Sequence, residues 1–180
     1  MPKIENTETK ISGEAFAYIH ALKGEVLREF WIKKRIKMMR YIKISASGEQ
    51  LPDDATEWAA VLDTQTDLMW QKNRCIGRYG WREIREAVNF INKQAPGGFA
   101  DWRMPKKKEL KSLIIKNDSP TIDARYFPKV TGSSFWTSST HAYFADVAWM
   151  IDFYDGREDY YSKSVALFVL LVRNNLLTAS

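Results

Sequence analysis

The sequence predicts an α+β fold, with two helices beside a mainly antiparallel sheet and an amphipathic helix in front. Three observations carry this. Apolar residues recur every three or four positions from Ala15 to Phe30, the spacing of one helix face. Two shorter amphipathic stretches lie at 81–94 and 106–115. Around them sit apolar or alternating runs of strand length, bounded by turn residues. Strands that do not alternate regularly with helices point to α+β rather than to a parallel sheet.

Ser12 can cap a helix over 13–36 whose stripe is Ala15, Ile19, Leu22, Val26 and Phe30, widened by Phe16, Leu27 and Trp31. Gly24 weakens its middle by about 1 kcal/mol. Tyr41 to Ser45 has β character, and the Ser-Gly and Pro-Asp pairs between Ser45 and Asp54 mark a loop. Ala59–Leu62 and Leu68–Gln71 are short strands joined by Asp63-Thr-Gln-Thr-Asp67, a hairpin pattern. Gly80 precedes the helix over 81–94, with Ile84, Val88 and Ile91 inward, and Ala95-Pro-Gly-Gly98 ends it. The helix over 106–115 turns Leu110, Leu113 and Ile114 inward and its lysines outward. Residues 117–131 read as irregular. Strands follow at 134–138, at 145–154 with one buried face, and at 166–173, where Ala-Leu-Phe-Val-Leu-Leu-Val is apolar on both faces and suits a central strand.

The chain has 180 residues, 45% of them hydrophobic and 13% aromatic, which suits one domain with an appendage. The domains are read as 1–38, 39–173 and a tail 174–180. Residues 1–45 hold 10 Lys and Arg against 5 Glu, whereas residues 46–180 hold 17 basic and 17 acidic side chains. The net charge of +5 therefore belongs to the N-terminal quarter. A single cysteine, Cys75, excludes an internal disulfide, and with only His20 and His141 besides, no His/Cys metal site is expected. No apolar run approaches the ~20 residues of a membrane span, and the polar N-terminus lacks the apolar core of a secretory signal. The expectation is a cytoplasmic protein without a cofactor.

The phrases Trp58-Ala-Ala-Val-Leu-Asp63, Thr66-Asp-Leu-Met-Trp-Gln71, Phe99-Ala-Asp-Trp-Arg-Met-Pro105 and Phe135-Trp-Thr-Ser-Ser139 follow one another in order. Ala148-Trp-Met-Ile-Asp-Phe153, Asp155-Gly156 and Val172-Arg173 continue the series. Over about residues 56–173 the chain resembles the DUF1566 family, also called the Lcl C-terminal domain. It departs at Asp67, where the family usually has Gly. The family is similar to C-type-lectin-like and formylglycine-generating-enzyme-like folds, so the resemblance implies a lectin-like domain whose loops bind ligand. Short relatives, some in phages and prophages, begin near the position of Met39, which makes the helix at 13–36 an extension of a common domain. Catalysis is not expected. Formylglycine-generating relatives use two cysteines and sulfoxide synthases three histidines, and the Glu-Pro-Asn and Trp-Asn-Asp motifs of calcium lectins are missing.

Recognition of a protein or a glycan is the expected function, through the connection 140–144 and the segment 155–163. The candidate ligand-binding residues are His141, Tyr143, Arg157, Asp159, Tyr160 and Tyr161, because Tyr and Arg supply large, rigid contacts with polar tips. An alternative is a binder of nucleic acid or of a host nucleoprotein. It would use the basic helix with Lys33, Lys34, Arg35, Lys37 and Arg40, together with Lys106, Lys107 and Lys108. A third reading is a structural or assembly protein, and the apolar stripe of the N-terminal helix suits self-association. Asp101-Trp102-Arg103 and Thr137-Ser-Ser139 read more simply as structural groups with satisfied polar atoms.

Overall fold

The structure is a computed structural model that describes residues 24–26, 39–75 and 77–175. By its contacts the chain divides into Met1–Met39 and Arg40–Ser180. Of the helix expected over 13–36, Gly24, Glu25 and Val26 are helical and exposed, and the rest lies outside the described residues. The second unit is α+β. Its strands are β1 (Tyr41–Ile44), β2 (Ala60–Asp63), β3 (Leu68–Gln71), β4 (Ser134–Thr140), β5 (Val147–Asp152), β6 (Glu158–Ser162) and β7 (Val172–Asn174). Its helices are α1 (Ile84–Gln94) and α2 (Lys107–Lys111). The strands form two antiparallel sheets, β1-β2-β3-β7 and β4-β5-β6, where the sequence suggested one.

The β2–β3 hairpin pairs Asp63 with Leu68. Its turn is closed by the Asp63 carboxylate, which accepts the Gln65 amide at 3.0 Å. Asp67 takes φ 55, the left-handed conformation that the family's Gly would adopt without strain. In exchange its carboxylate accepts a hydrogen bond from Asn175 Nδ2 at 2.8 Å, and its carbonyl accepts the Asn175 amide. Asn174, which pairs with Leu68, and Asn175 are thereby held to the β2–β3 hairpin.

The apolar run near the C-terminus corrects a second expectation. Only Val172–Asn174 forms a ladder strand, and it lies at a sheet edge. The residues before it thread between the sheets. Phe168 exchanges backbone hydrogen bonds with Ser134 and Trp136, while the Val169 and Leu171 carbonyls accept from Cys75 and Gln71. Val169 to Val172 are fully buried, which explains an apolar character on both faces without a central strand. In β5 the sequence suggested one buried face, but Ala148 and Met150 are buried on one side and Ile151 and Phe153 follow on the other. Both faces of this sheet carry cover: the Trp81 indole donates to the Thr137 carbonyl at 2.8 Å, and α2 packs on β4 and β5.

The core gathers Trp70, Leu110, Leu113, Phe127, Phe135, Phe153 and Leu170. The Trp102 indole donates to the Pro96 carbonyl, and its backbone is locked by the Asn92 amide through two 2.9 Å bonds. Buried Arg173 meets Asp101 at 2.6 Å and lies over the Phe99 ring. Arg103 makes a fork to Glu109, whose carboxylate also accepts the Lys106 amide at the start of α2. The helix stops near Lys111 rather than 115, where the Ser112 hydroxyl donates to the Glu109 carbonyl at 2.7 Å.

Candidate functional site

The β4–β5 connection and the outer end of β6 bring a group of aromatic side chains together. β5 pairs with β6 so that Trp149 faces Tyr160, and cross-strand partners share a face of the sheet. Their rings meet edge to face at 5.5 Å. His141 follows the last residue of β4 and is pinned by its amide, which donates to the Val147 carbonyl at 2.9 Å. Its ring stacks on Trp149 at 5.6 Å and on Phe144 at 5.1 Å, and touches Tyr160 at 4.8 Å. The Tyr143 amide donates to His141 Nδ1 at 3.3 Å, so the imidazole shapes the loop as well as filling it. Tyr143 is 87% exposed, Phe144 57% and Tyr160 45%. Clusters of large exposed aromatics are uncommon on a surface that has no partner.

Charged groups of α2 border this cluster. The Lys107 ammonium sits 3.5 Å from the centre of the Trp149 ring and 3.3 Å from Glu158. Lys111, one turn on, reaches the same carboxylate at 2.7 Å. Lys111, with Lys107 beside it, holds the Glu158 carboxyl below the usual carboxylate range against a weaker opposing push from burial. Among the described residues no three His, Cys, Asp or Glu side chains gather as a metal-binding group.

The sequence-derived candidates divide over this geometry. His141, Tyr143 and Tyr160 come together. Tyr161 and Asp159 face the opposite side, because β6 is a strand where the sequence suggested a loop, and alternate residues point oppositely. Arg157 stands in the β5–β6 turn, near Asp155 at 3.9 Å. Two members, Phe144 and Trp149, were not among the candidates. Phe144 lay within the flagged connection, but Trp149 could be found only through the β5–β6 register.

Of the nucleic-acid candidates, Lys33, Lys34, Arg35 and Lys37 lie outside the described residues. Arg40 is engaged by Asp63 at 3.1 Å, by the Ser112 carbonyl and by the Tyr41 ring. Lys107 faces the aromatic cluster, whereas Lys106 and Lys108 are exposed on other sides of α2. The hydroxyls after Trp136 are spent inside the fold: Thr137 donates to the Trp149 carbonyl and Ser139 accepts the Lys107 amide.

The sequence model of the Lcl C-terminal domain matches residues 59–173. The chain belongs to the Lcl C-terminal domain family. The matched span runs from the residue before β2 into β7, so it contains both helices and the whole aromatic cluster. It leaves out β1, which completes the first sheet of this Lcl C-terminal domain by pairing with β2. No curated protein matches the chain. No helix among the described residues is long and apolar enough to cross a membrane.

Proposed function

We propose that this Lcl C-terminal domain is a non-catalytic recognition module of lectin-like fold that binds a protein or a glycan through the cluster around His141 and Trp149. The observation that carries the reading is the exposure of Tyr143, Phe144 and Tyr160 around a preassembled aromatic centre. Rings already held by neighbours lose little conformational freedom on binding, which favours affinity. The chemistry at hand does not favour catalysis. The only thiol, Cys75, is buried, and burial pushes its pKa up to about 12, far from a reactive thiolate.

A second reading, single-stranded nucleic acid, is favoured by one observation: lysine-bearing α2 borders the aromatic cluster, as a stacking platform beside a phosphate track would require. It is the weaker reading, since Lys107 and Lys111 already share Glu158 and Arg40 is held by Asp63. The experiment that separates the two is a pull-down from lysate with full-length protein, with and without nuclease, at 50 and 200 mM salt. Retention that survives nuclease and salt but is lost in Tyr143→Ala/Phe144→Ala supports the module. Retention that nuclease or salt abolishes supports phosphate contacts and contradicts it.

A further inference from the structure

Near the start of β4, at the far end of that strand from the aromatic cluster, two arginines share one ring. The central carbon of the Arg74 guanidinium lies 3.9 Å from the centre of the Phe168 ring, and that of Arg78 lies 5.0 Å from it. The backbone explains why they converge. The Cys75 amide donates to the Val169 carbonyl, and Tyr79 exchanges two hydrogen bonds with Leu167. The residue after each arginine is thus tied to a neighbour of Phe168, one on either side of it. The ring is anchored as well, since the Phe168 backbone bonds to Ser134 and Trp136 and its side chain packs on Phe135 at 5.9 Å.

What these two arginines lack is a counter-charge. Six of the nine arginines among the described residues meet a carboxylate, at distances from 2.6 to 3.9 Å. Among those residues Arg74 and Arg78 meet none, and the third exception, Arg85, lies on α1. Arg74 reaches only the Ser133 hydroxyl, at a long 3.4 Å. Asp152, opposite Ser134 in the β4–β5 pair, is already engaged: one oxygen accepts the Ser134 hydroxyl and the other the Tyr154 amide. Two like charges over one ring repel each other, and an anion between them relieves that repulsion. A guanidinium held over a ring also keeps most of its N–H donors open to a further partner.

We infer that Arg74 and Arg78 form a binding site for a phosphate monoester. Guanidinium forks match the oxygens of a phosphate group. At neutral pH a monoester carries nearly two negative charges, one for each arginine. A carboxylate or a phosphodiester carries one and leaves a guanidinium unmatched. The Ser133 hydroxyl beside Arg74 supplies a further donor. Because the ring holds both side chains before a ligand arrives, little ordering cost is left for binding. The site goes beyond the recognition role proposed above and uses none of its residues. A phosphorylated side chain of another protein and a small phosphorylated molecule present the same group, and the test separates them.

The test is isothermal titration of the full-length protein at neutral pH. The probes are glucose 6-phosphate, a phosphoserine peptide with its unphosphorylated form, dimethyl phosphate as a singly charged control, and a single-stranded oligonucleotide. The expected result is saturable binding of a monoester, with dimethyl phosphate and the unphosphorylated peptide at least roughly tenfold weaker. Binding of both monoesters supports a site for the phosphate group itself, and binding of the peptide alone supports a site for a phosphorylated protein. Arg78→Gln should weaken binding roughly tenfold, as loss of a charged hydrogen bond implies. It should leave the melting temperature in place, since Arg78 is exposed. Tyr143→Ala/Phe144→Ala should bind the monoester as the unaltered protein does. The inference is overturned if neither monoester binds, if Arg78→Gln changes nothing, or if dimethyl phosphate binds equally well. An oligonucleotide that binds more tightly than the monoesters and needs Arg78 would assign the pair to phosphodiesters and overturn it too.

Discussion

The two sheets treat their aromatic side chains in opposite ways. In β1, β2 and β3 every residue is buried, and Trp70 is fully enclosed at the centre. The β4-β5-β6 sheet begins in the same manner, with Phe135, Trp136 and Ile151 inaccessible, but its outer end leaves Tyr143, Phe144 and Tyr160 in solvent. Rings of similar chemistry therefore serve the core at one end and stay exposed at the other. Composition alone cannot divide them. The division follows from which faces receive cover, and cover ends where α2 ends on one side and the Tyr79–Trp81 segment on the other.

The sharpest way to break this comparison is to truncate a ring on the buried side. Trp102→Ala removes a 2% exposed indole and its bond to Pro96, and should cost about 3–5 kcal/mol in urea unfolding. A loss below about 1 kcal/mol would mean that the enclosed tryptophans do not carry the fold.

Acid should act next. Burial pushes the Glu109 carboxyl up, but the Arg103 fork and the Lys106 amide outweigh it and hold it below the usual range. The Arg125 fork similarly lowers Asp123. Groups depressed in the folded state contribute stability that is complete above their unfolded pKa of about 4 and is lost as pH falls through the folded value. The unfolding midpoint should therefore hold from pH 7 to about 5 and fall below about 4. Glu109→Gln should remove about 1 kcal/mol at neutral pH and flatten that fall; an unaltered acid profile would show that the fork contributes nothing.

Much of the fold was legible because local signals agreed. Leu68–Gln71 is a strand over the expected residues, since an apolar run there is closed on both sides by turn chemistry. The hairpin also forms despite Asp67, which takes the left-handed conformation and finds a partner in Asn175. Helix α1 begins at Ile84, three residues late, because Trp81 is used to cover β4. The run 166–173 misled because an apolar segment hydrogen-bonded to two sheets at different points looks like a central strand. The site was half legible: Tyr143, His141 and Tyr160 carried the composition of a binding surface. Trp149 and the opposed face of Tyr161 depended on register, which is set by pairing partners 10 to 15 residues away.

A smaller effect sharpens the buried side. Cys75 should resist a thiol reagent such as DTNB at pH 8 in the native protein and react fully once unfolded, because burial holds the thiol protonated. Rapid native labelling would show that the thiol becomes accessible readily in the folded protein.

The most direct measurement of the central claim sets folding beside binding in one variant. Tyr143→Ala/Phe144→Ala should shift the urea midpoint by no more than about 0.5 kcal/mol, as exposed substitutions do, while losing nuclease-resistant ligand retention. A variant that unfolds like Trp102→Ala, or that retains ligand as well as the unaltered protein, would contradict the account.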